Sequence, residues 1–334
     1  MNAAQTFRGR TLGEVGEFAL ISAITAGLDR PASVLLGPGD DAAVLDLAGP
    51  VVTSMDVLVE GVHFRRDWSA ASDVGRKAVA VNVADLEAMG GRAVGLLAGF
   101  SAPPELPAEW ALEFASGLRE ECSAAGVVLL GGDTTRSRDV TVSVTVLGTL
   151  DGRAPVTRSG ARPGDVVAIT GRTGWAAAGL LVLGRGFRSP RTVVDAQRVP
   201  QVPYGAGATA ARAGATAMID VSDGLLADLG HVAAGSGVVA ELATGAFEVP
   251  EPLQVVSAAT GVDPLALILT GGEDHALVAC FPAAADVPDA WRVVGQVRAP
   301  AEDEVPRVLV DGAVWDRAAG WDHFRQGRPR KGRV

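Results

Sequence analysis

The sequence predicts an α/β protein made of two domains. Two observations lead to this prediction. Apolar strand-like runs alternate with helix-like stretches in both halves, and residues 151–165 between them are rich in Gly, Pro and Arg. A chain of 334 residues is also long enough for two domains of ordinary size. We therefore predict an N-terminal domain over residues 1–152 and a C-terminal domain over residues 153–334.

The first half is predicted to contain several strands and two long helices. The helix at 74–91 ends in a Gly-Gly pair, and the helix at 107–126 begins with Pro and ends with Gly, as helices commonly do. The segment 140–150 alternates strictly, with valine at every second position from 140 to 146, so its valines share one face. The predicted strands are 50–59, 92–100, 127–133 and 140–150.

The second half repeats this mixture of strands and helices. It begins with a strand at 165–170, and an Ala- and Leu-rich helix follows from Gly174. Residues 215–237 are predicted as strand, glycine turn and helix, and residues 265–281 as helix, glycine turn and strand. Both halves are therefore α/β in character.

Charge and composition exclude several classes of protein. The formal net charge of −10 argues against a nucleic-acid partner, because phosphate backbones require a basic surface. The Arg-rich tail at 325–334 is interpreted as a solubilising end. Apolar runs are too short to span a membrane, the N-terminus lacks a secretory signal, and Cys122 and Cys280 form no disulfide framework. We expect a cytoplasmic protein with no membrane partner.

Acidic residues at strand ends and turns suggest a metal-dependent site. The adjacent pair in "GPGDDA" needs a positive charge nearby if it is partly buried. Hard cations such as Mg²⁺ bind carboxylate oxygens from several elements and share them with phosphates. Taken singly, each aspartate is more simply explained as a turn former or helix cap. The aspartates at predicted strand ends or turns are Asp40, Asp41, Asp56, Asp133, Asp220 and Asp223, and Asp85 lies on the predicted helix at 74–91.

Glycine-rich turns beside these aspartates give a second indication. The stretches "GGDTTRS" (131–137) and "GGEDH" (271–275) allow backbone N–H groups to approach an anion. Ser222 and Asp223 begin a predicted helix, where they form either an N-cap or an anion site. The sequence has no P-loop and no nucleophile elbow, and its four histidines lie in separate segments. The pattern favours an enzyme that handles phosphates through metal ions.

Nine motifs occur in a fixed order: "GEFALI", "GPGDDAAVL", "SMDVLVEGVHF", "KAVAVNVADLEAMG", "LLGGDTTRS", "TRSGARPGD", "IDVSDGLLADLGH", "LTGGEDHAL" and "GWDHF". In this order they resemble the thiamine-monophosphate kinase family, a branch of the aminoimidazole-ribonucleotide-synthetase-like superfamily. The resemblance covers residues 14–324. Its most specific parts are "VEGVHF", "GGDTTR" and "GWDHF".

The resemblance implies a two-domain α/β fold of that superfamily, whose N-terminal domain binds ATP and Mg²⁺ and forms a homodimer. The implied reaction is the ATP-dependent phosphorylation of thiamine monophosphate to thiamine diphosphate, the last step of thiamine diphosphate biosynthesis. Transfer would be direct and in line, assisted by several Mg²⁺ ions. No general base is expected, because the acceptor phosphate is already ionised at neutral pH. We also expect the valine face of strand 140–150 to close against the second subunit.

The resemblance assigns site residues position by position. Met55 stands where Thr is more usual, which leaves only its backbone carbonyl as a ligand, and Trp321 stands where Tyr also occurs. Asp40 is expected to be a partner of Asp41 rather than a ligand. The expected metal ligands are Asp41, Ser54, Met55, Asp56, Asp85, Asp133, Asp220 and Asp223. The expected ATP contacts are Gly132, Asp133, Arg158 and Ser222, and the expected substrate contacts are His63, Glu273 and Trp321.

Two alternatives stay open at this point. One is another ATP-using enzyme of the same superfamily, and the other is a catalytically silent, ATP-binding dimeric scaffold. The selenophosphate-forming branch needs a reactive Cys or selenocysteine in an N-terminal glycine-rich stretch, and no Cys precedes Cys122. The hydrogenase-maturation branch carries a reactive C-terminal Cys, and none follows Cys280. Retention of the candidate ligands, apart from the Met55 side chain, argues against a silent scaffold.

Overall fold

The computed structural model describes residues 7–39, 42–47 and 49–321. The predicted site residues Asp40 and Asp41 and the basic tail at 325–334 lie outside the described residues. In chain order, the helices and strands are α1 (Leu12–Val15), α2 (Glu17–Thr25), β1 (Val34–Leu36), β2 (Val44–Leu45), β3 (Val51–Val59), α3 (Ala71–Ala88), β4 (Arg92–Ala102), α4 (Ala108–Ala125), β5 (Val128–Arg136), β6 (Thr141–Thr149), β7 (Val166–Thr170), α5 (Trp175–Gly184), α6 (Arg191–Arg198), α7 (Ala206–Arg212), β8 (Ala217–Val221), α8 (Leu225–Ser236), β9 (Val239–Leu242), α9 (Glu251–Thr260), α10 (Pro264–Thr270), β10 (Ala276–Phe281), β11 (Arg292–Arg298), β12 (Arg307–Val310) and β13 (Ala313–Val314).

Contacts divide the chain into two compact units. The first lies within Met1–Val156 and also includes Arg198–Ala213, and the second comprises Thr157–Gln197 and lies within Gly214–Val334. The domain limits predicted from the sequence, at residues 152 and 153, stay a prediction. Contacts within one chain do not test which part binds ATP or a second subunit.

Segment 198–213 is attached to α3 by one buried carboxylate. Glu87 is 6% exposed and accepts the N–H groups of Gly205 and Gly207 at 2.7 and 2.8 Å, at the start of α7. Burial raises the pKa of Glu87, because desolvation penalises the charged carboxylate more than these two bonds stabilise it. The same helix α3 carries the predicted ligand Asp85. Glu87 therefore fixes this returning segment on the helix that supports part of the candidate site.

The first unit is a four-stranded sheet with α3 and α4 packed on one face. The strand order is β3-β6-β4-β5, in which β6 is antiparallel to both β3 and β4, and β4 is parallel to β5. The core between sheet and helices includes Leu86, Leu96 and Phe114, none more than 3% exposed. The strands and long helices predicted for the first half are confirmed, with ends that differ by no more than three residues.

The valine face of β6 is buried inside this unit. Val142, Val144 and Val146 are 0 to 1% exposed and belong to the core beneath α3. The prediction that this face closes against a second subunit is therefore wrong. Alternation along a strand shows which residues share a face, but it does not show which layer covers that face.

The second unit is a seven-stranded mixed sheet in the order β13-β12-β9-β11-β7-β10-β8. Strand β10 is antiparallel to both β7 and β8, and all of its residues are buried. Because β8 and β10 are antiparallel, Val221 at the end of β8 pairs with Ala276 at the start of β10. The turn that follows β8 and the turn that precedes β10 therefore lie side by side. The elements predicted over 215–237 and 265–281 are confirmed.

Within residues 7–39, 42–47 and 49–321, no single helix is both long enough and apolar enough to cross a membrane. The pair α9 and α10, bent by 113°, meets that requirement together, by length and composition only. Residues from both helices are buried in the second unit, including Leu253, Val256, Leu267, Ile268 and Leu269.

Candidate functional site

The predicted site residues form two groups, one in each unit, and each group is described separately. The first unit contains Ser54, Met55, Asp56, His63, Asp85, Gly132 and Asp133. The second unit contains Arg158, Asp220, Ser222, Asp223, Glu273 and Trp321. Asp41 lies outside the described residues.

In the first unit, hydrogen bonds between β3 and α3 hold two of the predicted ligands, Asp85 by its carboxylate and Asp56 by its backbone. The hydroxyl of Ser54 donates to Oδ2 of Asp85 at 2.5 Å. The backbone N–H of Asp56 donates to Oδ1 of Asn82 at 2.9 Å, and Nδ2 of Asn82 donates to the carbonyl of Ala78 at 2.8 Å. Asn82 was not among the predicted site residues. Its position three residues before Asp85, on the same helix face, was the signal that could have found it.

Met55 adds no side chain to this group. It lies on the opposite face of β3 and is 56% exposed, because successive strand residues point to opposite sides of a sheet. Only its backbone can therefore contribute on the side of Ser54 and Asp56. This agrees with the sequence, in which the usual hydroxyl is missing at position 55.

Asp133, next to Gly132 on β5, lies at the other edge of the sheet from β3. The strand register aligns Asp133 with Val57 across the four strands. Three strand spacings separate these two positions, a distance of about 14 Å. Asp133 and Val57 share the exposed face, whereas Asp56 faces α3. Within one chain, the structure therefore does not bring Asp133 together with Asp85.

His63 lies in the turn that follows β3, and its ring is tied to that turn. Nδ1 of His63 accepts the backbone N–H of Val59 at 3.0 Å. The carbonyl of His63 accepts a hydrogen bond from Nζ of Lys77 at 3.1 Å, and Lys77 is only 2% exposed on α3. The same helix thus supports both the carboxylate group and the turn that carries His63.

In the second unit, three turns meet at the adjoining ends of β8 and β10. The N–H of Glu273 donates to the carbonyl of Ser222 at 2.7 Å, and the N–H of Trp321 donates to the carbonyl of Asp223 at 2.9 Å. The close approach depends on glycine, since a Cβ at Gly272 would lie 2.4 Å from the carbonyl oxygen of Ser222. The structure therefore brings together four residues that the sequence assigned to ATP, metal and substrate.

The turn before β10 has an uncommon backbone. Glu273 has a φ of 67° and His275 a φ of 51°, in the left-handed region that residues other than glycine rarely adopt. The N–H of His275 donates to the carbonyl of Val221 at 2.9 Å, which holds this turn against the end of β8. Such conformations persist where the surroundings fix them, and they concentrate at functional sites.

Asp220 is buried against a histidine that was not among the predicted site residues. Nδ1 of His275 lies 3.0 Å from Oδ2 of Asp220, and the two residues are 7% and 4% exposed. A carboxylate keeps further lone pairs beside one hydrogen bond, so this contact leaves Asp220 able to bind a metal ion. The two residues are 55 positions apart in the chain, so no local pattern indicated the pair.

Asp228 is a third residue that sequence reasoning missed. Its Oδ2 accepts the N–H groups of Asp223 and Gly224, both at 3.0 Å, and so fixes the turn that opens α8. Burial, together with the negative charge of Asp220, raises the pKa of Asp228 to about 7. The signal was a carboxylate in the first turn of a predicted helix, directly after the motif "SDG".

Asp274, also missed, links the strained turn to α5. It is 3% exposed, and its Oδ1 accepts the N–H of Ala176 at 2.9 Å. Burial raises its pKa from 3.8 to about 7, against the opposing effect of backbone N–H groups at the start of α5. Because the folded-state pKa is raised, Asp274 contributes most stability below pH 4. That contribution is lost as the pH rises through 7.

We expect Asp274→Asn to flatten the pH dependence of stability by about 2–3 kcal/mol between pH 5 and pH 8. Asparagine keeps the shape of the side chain and an acceptor for the N–H of Ala176, but it does not ionise. Urea unfolding at both pH values measures the difference, and the exposed Asp195→Asn serves as the matched control. Parallel pH profiles for wild type and Asp274→Asn would contradict this prediction.

Arg158 is not brought to the three turns. Its backbone carbonyl accepts a hydrogen bond from Oγ of Ser236 at 3.2 Å, at the C-terminal end of α8. Ser222 and Asp223 precede the N-terminal end of that helix. A helix of 12 residues is about 18 Å long, so the backbone of Arg158 lies about one helix length from the turn of Ser222 and Asp223.

The donor chemistry of both groups fits Mg²⁺. The candidate ligands are hydroxyl and carboxylate oxygens, and Nδ1 of His63 and of His275 are engaged by Val59 and Asp220. Among the described residues, no three His, Cys, Asp or Glu side chains are arranged to hold a metal ion by themselves. Mg²⁺ commonly binds through one or two carboxylates together with substrate phosphates, and open groups of this kind suit it.

Comparison with known proteins identifies the family. The AIR synthase related protein family matches in two parts, its N-terminal domain over residues 39–150 and its C-terminal domain over residues 162–305. Thiamine-monophosphate kinase from Mycobacterium tuberculosis is 49% identical over 316 residues, which cover 94% of this chain and 93% of that protein. The chain belongs to the thiamine-monophosphate kinase family.

Solved structures agree with this assignment. AaThiL complexed with AMPPCP and TMP matches with a TM-score of 0.76 and 28% identity, covering 95% of this chain and 100% of that chain. Hydrogenase maturation protein HypE in complex with ATP matches with a TM-score of 0.65 at 21% identity, covering 85% of this chain and 87% of that chain. The second likeness concerns the fold alone. The two-domain α/β fold predicted from the sequence is confirmed.

Proposed function

We propose that this protein transfers the terminal phosphoryl group of ATP to thiamine monophosphate, giving thiamine diphosphate and ADP. The observation that carries the proposal is the meeting of Ser222, Asp223, Glu273 and Trp321 in one set of turns. The family resemblance assigns these four positions to ATP, metal and substrate. A family member bound to AMPPCP and TMP supports both substrates, and the named relatives support the reaction. We place the enzyme in the cytoplasm, as the sequence led us to expect.

The acceptor explains why no general base is needed. The phosphate of thiamine monophosphate has a second pKa of about 6, so it is largely ionised at neutral pH. Its oxygen can attack without losing a proton, and the main obstacle is repulsion between two anions. Positioning and charge neutralisation are then the work of the site. The ring nitrogens Nδ1 of His63 and His275 are already engaged, which suits a site without a base.

We propose that the carboxylates of the two groups bind several Mg²⁺ ions. When bound, they would neutralise negative charge on the phosphate oxygens. The protein's part is to orient the ligands: Ser54 holds Asp85, Asn82 holds the backbone of Asp56, and Asp228 holds the turn of Asp223. The proposed ligands are Asp41, Ser54, Met55 through its backbone, Asp56, Asp85, Asp133, Asp220 and Asp223.

Alternatives that depend on a reactive cysteine are disfavoured. Cys122 and Cys280 are 6% and 1% exposed, and burial raises the pKa of each thiol to about 12. Reactive cysteines are typically accessible and have a lowered pKa, because the thiolate is the nucleophile. Neither thiol of this chain meets those conditions. A catalytically silent scaffold would bind ATP without consuming it, so an activity assay distinguishes that alternative from the kinase.

Incubation of the purified protein with Mg-ATP and thiamine monophosphate tests the proposal. Chromatography should show thiamine diphosphate and ADP in equal amounts. Thiamine in place of its monophosphate should give no product in the same time, since its hydroxyl would first have to lose a proton. ATP consumption without thiamine diphosphate would favour another activity of the superfamily. ATP binding without consumption would favour the scaffold.

We propose a homodimer that uses the exposed face of the sheet in the first unit. Val51, Met55 and Val57 on β3 are 51%, 56% and 38% exposed, and Leu97 on β4 is 39% exposed. The register aligns Met55 and Leu97 on either side of Thr145 of β6, so these apolar side chains lie on one exposed face of the sheet. Apolar patches of this kind commonly mark an interface, and homodimers usually bury the same patch of both copies. A second copy of this chain is therefore the proposed occupant.

Replacing Val57 and Leu97 together with Glu is expected to yield monomers, because charge would be buried in the contact. Analytical ultracentrifugation at micromolar concentration measures the assembly. Phe187→Glu, at a position 65% exposed in the second unit, is the control and should leave the assembly unchanged. A wild-type monomer would contradict the dimer. A Val57→Glu/Leu97→Glu protein that stays dimeric would contradict this face.

A further inference from the structure

The turn after β7, residues 171–175, lies at the same edge of the sheet as the turns of the candidate site in the second unit. Thr170 at the end of β7 and Asp220 near the end of β8 pair with the same residue of β10, Leu277. Because β7 and β8 are both antiparallel to β10, they run in the same direction and end at this edge. Two strand spacings, about 10 Å, separate Thr170 from Asp220. The side chains of turn 171–175 therefore start close to the turn that follows β8.

Turn 171–175 and the start of α5 also pack directly on the turn that carries Glu273. Oδ1 of Asp274 accepts the N–H of Ala176, in the first turn of α5, at 2.9 Å. A Cβ at Gly271 would lie 3.3 Å from the Cα of Gly174, so the two backbones are in contact. The turn after β7 is therefore a fourth turn of the same group, and these contacts fix its position.

Arg172 brings a positive charge to this edge. Its guanidinium carbon lies 4.5 Å from the ring centroid of Trp175, over the indole face. Trp175 is the first residue of α5, so the helix fixes the ring on which the guanidinium lies. Stacking of this kind orients a guanidinium through its flat face and leaves the N–H groups around its rim to donate to other partners.

Arg172 has no carboxylate partner among the residues that the structure describes. The edge nevertheless contains several carboxylates that an arginine could pair with. They are Asp220, Asp223, Asp228, Glu273 and Asp274. A guanidinium that is held by an aromatic ring and pairs with none of them can bind an anion that arrives with the substrates. Phosphate is the anion that suits it, because two parallel N–H groups can donate to two phosphate oxygens.

We propose that Arg172 binds a phosphate group of the substrates, and that Trp175 is the positioning residue for its guanidinium. This rests on the proposed function, in which thiamine monophosphate and ATP bring phosphates to these turns. The thiazolium ring of thiamine carries a fixed positive charge and would be repelled by Arg172, so only phosphate oxygens suit this position. Arg172 thus supplies positive charge from the protein itself, in addition to that of Mg²⁺.

Isothermal titration calorimetry of the whole protein tests the proposal without turnover. Thiamine monophosphate, thiamine and AMPPCP are titrated separately in the presence of Mg²⁺. Arg172→Gln should weaken the binding of a phosphate-bearing ligand about tenfold and leave the binding of thiamine unchanged. A loss for thiamine monophosphate alone identifies the acceptor phosphate, a loss for AMPPCP alone identifies the nucleotide, and a loss for both places Arg172 between the two.

Two results of this titration would overturn the inference. One is an unchanged Kd for both phosphate-bearing ligands in Arg172→Gln, and the other is an equal loss for thiamine. A wild-type protein that binds neither thiamine monophosphate nor AMPPCP would contradict the proposed function and this inference with it. Binding that Arg172→Gln leaves intact would contradict the inference alone.

Two further variants separate the shape of the guanidinium from its charge. Arg172→Lys keeps the charge but loses the planar fork, so it should bind the same ligand about threefold more weakly than the wild type. Arg185→Gln is the matched control, because it removes an exposed arginine at the other end of α5, about 15 Å away. It should leave every Kd unchanged. A loss in Arg185→Gln equal to that in Arg172→Gln would show an effect of net charge and would overturn the assignment to Arg172.

A double-mutant cycle tests the positioning role of Trp175. Trp175→Leu should weaken the same ligand about threefold, because the guanidinium loses its support, and Trp175→Phe should recover most of the affinity. In the Arg172→Gln background, Trp175→Leu should cause no further loss, since its effect acts through Arg172. If Trp175→Leu does not fold, Trp175→Met takes its place in the cycle. Additive losses in the double variant would overturn the positioning role.

Discussion

Replacing Asp85 with asparagine is expected to lower kcat/KM by about 100- to 1,000-fold while the protein stays folded, a loss of about 3–4 kcal/mol. Asparagine has nearly the same shape, so the hydroxyl of Ser54, 2.5 Å from Oδ2, keeps an acceptor nearby. The negative charge is lost at the junction of β3 and α3, where the site is proposed to hold a divalent cation against phosphates. Steady-state kinetics at several magnesium concentrations, with thermal unfolding alongside, measure the effect.

Two control variants separate the charge from its surroundings. Asp195→Asn removes an exposed carboxylate on α6 that pairs with Arg191, and it should leave kcat/KM unchanged. Ser54→Ala removes one hydrogen-bond partner of Asp85, and one proposed ligand oxygen, without removing the charge, and it should cost much less than Asp85→Asn. Activity like that of the wild type in Asp85→Asn at ordinary magnesium concentrations would refute the role of this carboxylate.

The elements of the first unit could be predicted because their signals are local. Helix α4 begins after Pro107 and ends at Gly126, which adopts a φ of 68°. The two faces of β6 are equally local, since alternation fixes which residues lie together. Which layer covers the valine face depends on how the whole unit packs, and the prediction that a second subunit covers it was wrong. The segment at 198–213 rejoins the first unit through Glu87, a contact that no local pattern indicates.

In the candidate site, too, the features with a local sequence signal could be predicted, and the long-range contacts could not. The turns around Asp223 and Glu273 could be predicted from "SDG" and "GGED", because glycine and aspartate mark turns and helix starts. The side chains that hold these turns could not. His275 reaches Asp220 across 55 residues, and Asp274 reaches Ala176 across 98 residues. Asp133 and Asp85 both carry the negative charge expected of a metal ligand. The position of Asp133 on β5 also depends on a register shift between Leu96 and Leu97 of β4, and the sequence does not reveal such a shift.

Replacing Trp321 with alanine is expected to raise the KM for thiamine monophosphate about three- to thirtyfold and to leave the KM for ATP nearly unchanged. The thiazolium ring of thiamine carries a fixed positive charge, and a cation over an indole face contributes about 0.5–2 kcal/mol. Trp321 is 44% exposed, whereas an indole that only filled a gap in the core would be buried. Steady-state kinetics with each substrate varied in turn measure the two constants.

The position of Trp321 explains why one substrate alone should respond. Its N–H donates to the carbonyl of Asp223 at 2.9 Å, so the backbone of Trp321 is held beside the turn of Ser222 and Glu273. Alanine keeps that backbone bond, and the turn that is expected to contact ATP should survive the change. Trp321→Phe keeps an aromatic face and should restore most of the affinity for thiamine monophosphate. If both KM values rise together, or if Trp321→Ala unfolds, Trp321 is structural and the thiamine ring must be bound elsewhere.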